Sequence, residues 1–236
     1  MKIRNLIIGS ALLTSLCSAS LSQKPASNSK LERIVQRART HSITPRDTPP
    51  SWMDFDKVRA GGDFIKKHLD FINQILGTSS LASTYAAKDI TPVLMQTGRL
   101  PKDFSRRLNE TTEYIKLMML PINGRDEFVS KNLATGYKLG QIHVGVAKQM
   151  KVLHWNRKER IPINLQSFAL VLESFAWWPV EALEATKQID CTMPDKEIEG
   201  WFHFWSVMGY ELGVSEELLP TSYAKAKELV ALLKKA

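Results

Sequence analysis

Apolar residues recur at helical spacing along most of the chain, and no stretch alternates apolar and polar residues as a half-buried strand would. Asp63 precedes one apolar segment that Gly77 ends, and Asn164 precedes another that runs through Phe175. The pattern predicts an all-α fold in a single multi-helix globular domain. Further helices are expected from Thr91 to Gly98, from Pro101 to Met119, over residues 135–153, in a new turn at Pro179, from Pro194 to Gly213, and from Thr221 onward.

The amino-terminal residues follow a different pattern. A basic start is followed by a short apolar run over residues 6–16 and then by small residues. This order predicts a signal peptide over residues 1–19, with cleavage near Ala19. The run is too short for a comfortable membrane span, so export is expected with no stable span after cleavage. The alternative is an uncleaved amino-terminal membrane anchor.

Two further regions follow the expected signal peptide. Residues 20–51 are rich in Ser, Lys, Arg, Thr and Pro and have little apolar surface to bury, so they are predicted to form a flexible arm. Residues 52–236 carry the helical patterns and form the predicted domain. Cys191 is the single cysteine after the signal peptide, so no intramolecular disulfide can stabilise this domain.

Composition and motifs exclude several function classes. The formal net charge is +8, but the basic residues are spread along the chain rather than grouped with aromatic residues, so no nucleic-acid partner is predicted. A basic surface-adhesion module would require these charges on one face. The sequence has no His-Glu-x-x-His, Cys-x-x-Cys, glycine-rich phosphate loop or Gly-x-Ser-x-Gly motif. Zinc hydrolases, nucleotide enzymes and serine esterases are therefore not indicated.

His143 is the leading candidate for a cofactor ligand. It lies within an apolar helical stripe that is expected to face inward, formed by Leu139, Ile142, Val146, Met150 and Leu153. Its neighbours Gly136, Gly140 and Ala147 are small, and each glycine inside a helix costs roughly 0.5–1 kcal/mol relative to alanine. A neutral imidazole beside such space suits an axial ligand of haem iron. The alternative is a hydrogen-bonded core histidine, with small residues that let two helices pack closely.

A second candidate group lies on the helix expected after Pro101. Arg107, Glu110 and Thr111 are spaced three and four residues apart and project from one face. One interpretation is a surface helix with an intrahelical Arg–Glu pair. The other is the distal side of a cofactor pocket, in which arginine and threonine donate hydrogen bonds to an oxygen species and glutamate serves as a base.

Several short motifs occur in an order that resembles a known family. They are Thr97-Gly98-Arg99-Leu100, Arg107-Leu108-Asn109-Glu110-Thr111, Gln141-Ile142-His143, Pro162-Ile163-Asn164-Leu165-Gln166, Phe175, the run over residues 205–213, and Leu218-Leu219-Pro220. Together they resemble the latex-clearing-protein type of rubber oxygenase and the fungal mycophenolic-acid-pathway oxygenases. The resemblance implies an all-α domain with an internal haem pocket, a b-type haem held through iron by His143, and a distal helix that carries Arg107 and Thr111.

The chain also departs from that family. Glu110 stands where the latex-clearing enzymes place a distal lysine, and Gly140 and Ala147 stand in turns where the family often has arginines. Polyisoprene cleavage therefore does not follow from the resemblance.

The sequence leads to the hypothesis of an exported haem b-dependent oxygenase that uses dioxygen on a small apolar, unsaturated substrate. His143 is the predicted metal ligand, Gly140 and Ala147 border the haem, and Arg107, Glu110 and Thr111 are the predicted catalytic residues. The alternative is a non-catalytic exported helical carrier of haem or an apolar ligand. The pocket is expected to be lined by Leu108, Ile115, Ile142, Val146, Phe168, Leu172 and Phe175.

Overall fold

A computed structural model describes residues 29–80, 90–96, 103–152 and 161–234. Within these ranges all regular secondary structure is helical, and the one β pairing is an isolated bridge between Ser42 and Asn164. The predicted all-α fold is confirmed. The helices are α1 (Ser29–Arg37), α2 (Phe55–Ile75), α3 (Thr91–Gln96), α4 (Phe104–Met118), α5 (Arg125–Glu127), α6 (Ala134–Val152), α7 (Leu165–Ala185), α8 (Lys196–Leu212) and α9 (Tyr223–Leu233). Leu76–Ser80 and Phe128–Leu133 are π-helical, and Ala38–Thr40 and Glu216–Leu218 are 3-10 turns.

Helix ends with strong local signals lie where the sequence predicts them. The Asn164 side chain accepts a hydrogen bond from the backbone N–H of Ser167 at 2.9 Å and so caps α7. Asp195 caps α8 in the same way. Gly213, with φ of 99°, ends α8 in the left-handed conformation that glycine adopts most readily.

The α2 helix begins earlier than predicted. Asp54 caps it and its first residue is Phe55, whereas the sequence suggested a start at Asp63. Gly61 continues the helix because its missing side chain lets α2 touch α8: a Cβ atom there would lie 2.5 Å from the carbonyl oxygen of Gly200. Tertiary packing thus overrides the low helix propensity of glycine.

The α7 helix runs through Pro179 to Ala185, so the predicted end at Phe175 is wrong. Proline cannot donate the backbone hydrogen bond expected at its position, which usually breaks or kinks a helix. Here Val180 and Leu183 beyond it are fully buried. The α7 helix packs against α9 and α8, and this burial keeps the chain helical beyond the proline.

The α8 helix is the centre of the core. Every residue from 200 to 209 is buried, so the helix has no solvent-facing side over that length. It packs against α2, α6, α7 and α9, within a compact unit that spans residues 34–236. The indole N–H of Trp201 donates to the carbonyl oxygen of Ala176 at 2.7 Å, which satisfies the buried donor and joins α8 to α7.

The described part of the expected flexible arm is ordered by contacts. Residues 29–40 are helical, and Ile43 is only 4 % exposed. The backbone N–H groups of Thr44 and Arg46 donate to carbonyl oxygens at the end of α8. We call residues 42–54 the strap. Its order comes from these long-range contacts, which the local composition does not reveal.

Candidate functional site

The α6 helix carries His143 near its middle. Among its residues with described burial, the buried ones are Gly136, Gly140, Ala147 and Met150. His143 is half-buried on that same side. Ile142, expected to face inward, is 43 % exposed, so this part of the prediction is wrong. The buried side is centred on the small residues because they allow neighbouring segments to approach, and Ile142 is turned toward solvent as a result. Leu153 lies outside the described residues.

The space beside the two glycines of this face is taken by other parts of the chain. A Cβ atom at Gly136 would lie 3.4 Å from side-chain atoms of Met208 and of Glu211 on α8. At Gly140 it would lie 2.8 Å from Pro45 and 2.9 Å from the carbonyl oxygen of Leu212. Close packing, the alternative considered from the sequence, describes both glycines.

The geometry of His143 defines its tautomer. Its Nδ1 lies 2.8 Å from the carbonyl oxygen of Leu139, four residues earlier. A carbonyl oxygen can only accept, so Nδ1 carries a proton, and in a neutral ring the lone pair would then lie on Nε2. The ring of Phe168 on α7 meets the imidazole edge to face, with centroids 4.9 Å apart. The arrangement suits a ligand that binds iron through Nε2 while a backbone acceptor orients the ring.

The α4 helix packs against α6 and against the π-helical segment Phe128–Leu133 that directly precedes α6. Glu110 and Thr111 are half-buried on α4, while the side chain of Arg107 lies outside the described residues. Glu110 pairs with Arg106, whose Nε donates to Oε1 at 2.9 Å. An intrahelical Arg–Glu pair therefore exists on this helix, between Arg106 and Glu110 one turn later. The arginine considered from the sequence was Arg107, whose pairing stays a prediction.

The predicted pocket lining is only partly buried. Among the apolar side chains expected there, the buried ones are Ile115, Phe168, Leu172 and Phe175. Val146 is half-buried, and the side chain of Leu108 lies outside the described residues. The structure thus brings His143 together with Phe168 and places α4 beside α6.

Two buried carboxyl groups were missed by the sequence analysis, which concentrated on histidines. Glu173 on α7 is fully buried and neither carboxyl oxygen has a hydrogen-bond partner among the described atoms. Burial raises its pKa well above the usual range, with Lys225 opposing. Burial, with a smaller contribution from Asp47 and opposed by Arg46, raises the pKa of Glu211 to about 8. A lone glutamate within an apolar helical run was the available signal for both.

Neither a metal cluster nor a membrane-spanning helix occurs in the described part of the chain. No group of three or more His, Cys, Asp or Glu side chains there could hold a metal ion. No helix there is both long and apolar enough to cross a bilayer. The expected signal peptide, residues 1–19, lies outside the described residues.

A family model described as "ER-bound oxygenase mpaB/B'/Rubber oxygenase, catalytic domain" matches residues 66–234. The chain belongs to this family. The resemblance drawn from the short motifs is confirmed. The description of this family names an oxygenase catalytic domain. His143 and the predicted α4 residues all lie within the matched region.

A solved structure entitled "Structure of Latex Clearing Protein LCP in the closed state" has a similar fold, with a TM-score of 0.63 at 18 % sequence identity. The alignment covers 96 % of this chain and 60 % of that one. The chain thus spans about 60 % of the length of the latex clearing protein, and the likeness extends to the helical fold. No curated protein matches the chain.

Proposed function

We propose that the chain is a haem b-dependent oxygenase that oxidises a small apolar substrate with dioxygen, unsaturated compounds being the class to test first. One observation carries the proposal. His143 lies in the family region, faces the interior beside Phe168, and has Nδ1 hydrogen-bonded to the Leu139 carbonyl oxygen at 2.8 Å. In the neutral ring that bond assigns the proton to Nδ1 and the lone pair to Nε2, the nitrogen that an iron ligand would use.

The surroundings of His143 fit a haem on one side of the ring. Phe168 supplies an apolar wall, and Ala147, one turn after His143, is buried with a small side chain. Gly140 packs against Pro45, so we assign the role of small haem neighbour to Ala147 alone. Haem iron supplies the dioxygen chemistry when bound, and the protein contributes orientation, polarity and exclusion of water.

We assign the opposite side of the pocket to α4. Arg107 and Thr111 are the candidate hydrogen-bond donors, since a guanidinium and a hydroxyl stabilise negative charge that develops on oxygen. Glu110 is the candidate base. Its ion pair with Arg106 holds the carboxylate at a defined place on the helix. The packing of α4 on α6 supports this assignment.

Visible spectroscopy of protein purified from haem-supplemented cells tests cofactor binding. We expect a Soret band in the parent protein and its loss in His143→Ala. His41→Ala is the matched control, because His41 is exposed and its Nδ1 bonds only to nearby atoms in residues 37 and 40. A colourless, metal-free parent protein, or an unchanged band in a folded His143→Ala variant, contradicts the proposal.

Oxygen uptake with an unsaturated hydrocarbon tests the catalytic assignment. Arg107→Ala and Glu110→Gln should each lower uptake about 10²-fold or more, the usual range for loss of an oxyanion donor or a general base. Arg106→Gln should have a smaller effect, since Arg106 acts only through Glu110. A Soret band without any oxygen uptake would instead identify a carrier of haem.

We also propose export, with residues 1–19 removed as a signal peptide. The support is the order of a basic start, a short apolar run and small residues. Amino-terminal sequencing of the protein from culture medium or periplasm should begin near Ser20. A chain that keeps Met1 and sediments with membranes would show the anchor alternative.

A further inference from the structure

The strap crosses the carboxyl-terminal end of α8 and caps it. The backbone N–H of Thr44 donates to the carbonyl oxygen of Gly213, and that of Arg46 to Glu211, both at 3.1 Å. The Arg46 guanidinium donates to the carbonyl oxygens of Tyr210 at 2.9 Å and Val214 at 3.0 Å. Carbonyl groups at a helix end lack partners within the helix and carry partial negative charge. Arg46 therefore closes α8 with a cation bonded to two carbonyls.

The strap also contacts α6 and the start of α7, the helices that carry His143 and Phe168. Pro45 fills the space over Gly140, which is three residues before His143 on α6. At the start of the strap, Ser42 pairs with Asn164, directly before α7, and Phe168 follows one turn later. The strap lies before residue 66, where the family match begins. A segment outside the matched region thus holds α6 and the start of α7 in place around the imidazole.

The other end of the strap is joined to α8 by a histidine. The backbone N–H of Asp54 donates to Nε2 of His203 at 3.1 Å. The ring of Trp52 lies edge-on to His203 at 5.7 Å and to Tyr210 at 5.9 Å. An imidazole nitrogen accepts a hydrogen bond only when it is unprotonated. Protonation of His203 would place two N–H groups against each other and break this join.

The environment of His203 keeps it neutral at neutral pH. The ring is 7 % exposed, and burial lowers its pKa below 6.5. Lys57 of α2 lowers the pKa further, and the Asp54 carboxylate opposes this. The join is therefore complete at pH 7 and above, and acid opens it.

We propose that residues 42–54 are a releasable strap that positions α6, and with it His143, and that His203 is the latch that opens in acid. The latch is inferred from the contacts between α8 and the strap alone. Its consequence for activity rests on the proposed function, because it acts through the candidate haem ligand. His203 and Arg46 are thus positioning residues.

Hydrogen exchange of the strap, measured by mass spectrometry on the full chain and corrected for intrinsic rates, tests the latch. Protection of residues 42–54 should fall about tenfold as the pH is lowered from 7.5 through the titration of His203. In His203→Gln protection should stay constant, because the amide oxygen accepts a hydrogen bond and does not titrate. His41→Gln is the matched control, an exposed histidine beside the strap, and should keep the parent transition.

Two outcomes overturn the latch. One is strap protection that is constant with pH in the parent protein, and the other is an equal fall in a folded His203→Gln variant. If that variant does not fold, the NMR titration of His203 in the parent protein decides. Its midpoint must coincide with the loss of strap protection, and two separate midpoints refute the proposal.

The positioning role has its own measurement at constant pH. Arg46→Gln at pH 7.5 should loosen the strap and shift the imidazole resonances of His143 in the apoprotein. A loosened strap with unchanged His143 resonances refutes the positioning role. A colourless protein with a working latch refutes only the proposed function, whereas a haem protein without strap release refutes only this inference.

Discussion

The middle of α8, around Trp201 and Trp205, and its last turn are held by different kinds of contact. Around Trp201 the contacts are aromatic: Phe64 of α2 lies 5.3 Å away and Trp205 lies 5.6 Å away. At residues 209–213 the partners are backbone N–H groups of the strap and the Arg46 guanidinium, and the Glu211 side chain is buried there. Apolar packing is indifferent to pH, whereas the polar end depends on the protonation of its groups.

Two groups make the polar part of α8 sensitive to pH in opposite directions. The pKa of His203 is lowered by burial below its usual 6.5, so its contribution to stability is complete above pH 6.5 and is lost as the pH falls. The pKa of Glu211 is raised by burial from 4.5 to about 8, so its contribution is complete below pH 4.5 and is lost as the pH rises toward 8. The aromatic contacts of Trp201 and Trp205 provide stability, and the polar groups at His203 and Glu211 provide the part that pH can adjust.

The largest effect on stability is expected from the aromatic contacts around Trp201. Trp201→Ala should lower the free energy of unfolding by about 3–5 kcal/mol, because it leaves a cavity and removes the donor to Ala176. Urea denaturation at neutral pH measures the change. Trp178→Ala is the control, since Trp178 is half-buried and meets Lys234 at the surface, 4.6 Å from its ring centre. Equal losses in both variants would contradict a core centred on α8.

Glu211→Gln should stabilise the protein in a pH-dependent way. Between pH 4.5 and about 8 the unfolded chain ionises this carboxyl while the folded protein keeps it neutral, which lowers stability as the pH rises. The amide removes that difference, so we expect a gain on the order of 2–3 kcal/mol at pH 7 and little change at pH 4. Exposed Glu216→Gln should change stability by less than about 0.5 kcal/mol at either pH. A pH-independent effect of Glu211→Gln would contradict the origin of its shifted pKa.

Two glycines of α6 allow a paired test of the contact between the strap and His143's helix. Gly140→Ala should cost about 1–2 kcal/mol, because the added methyl group meets Pro45 and Leu212. Gly145→Ala should gain about 0.5–1 kcal/mol, because nothing lies within 4 Å of its Cβ position and alanine favours helix. Thermal unfolding distinguishes the two signs. Equal gains in thermal stability for the two variants would mean that the strap does not pack closely against α6 at Gly140.

The fold was predictable where local chemistry decides it. Asn164 and Gly213 mark helix ends because their side chain or backbone conformation satisfies terminal groups without help from distant residues. The start of α2 and the continuation of α7 were not predictable locally. They depend on Gly61 meeting α8 and on residues beyond Pro179 being buried by other helices.

The same distinction applies to the site. The spacing of apolar and small residues along α6 predicted an inward His143 and a face of small residues, because both follow from helical periodicity. What fills the face does not follow from periodicity. Pro45 comes from a segment nearly a hundred positions earlier, whose composition indicates an arm without fixed structure. The buried carboxyl of Glu211 was equally hidden, since only the assembled fold removes it from water.

Arg46→Lys is the mildest change that separates charge from geometry at the polar end of α8. Lysine keeps the positive charge but lacks the planar guanidinium, whose Nη1 donates both carbonyl bonds and whose central carbon lies 4.2 Å from the Tyr210 ring centroid. We expect a loss of about 0.5–1 kcal/mol in urea denaturation, with faster exchange confined to the strap. Arg59→Lys on the exposed surface of α2 should leave both measurements unchanged. If Arg46→Lys matches that control, charge alone caps the helix, and the strap is held by its backbone bonds.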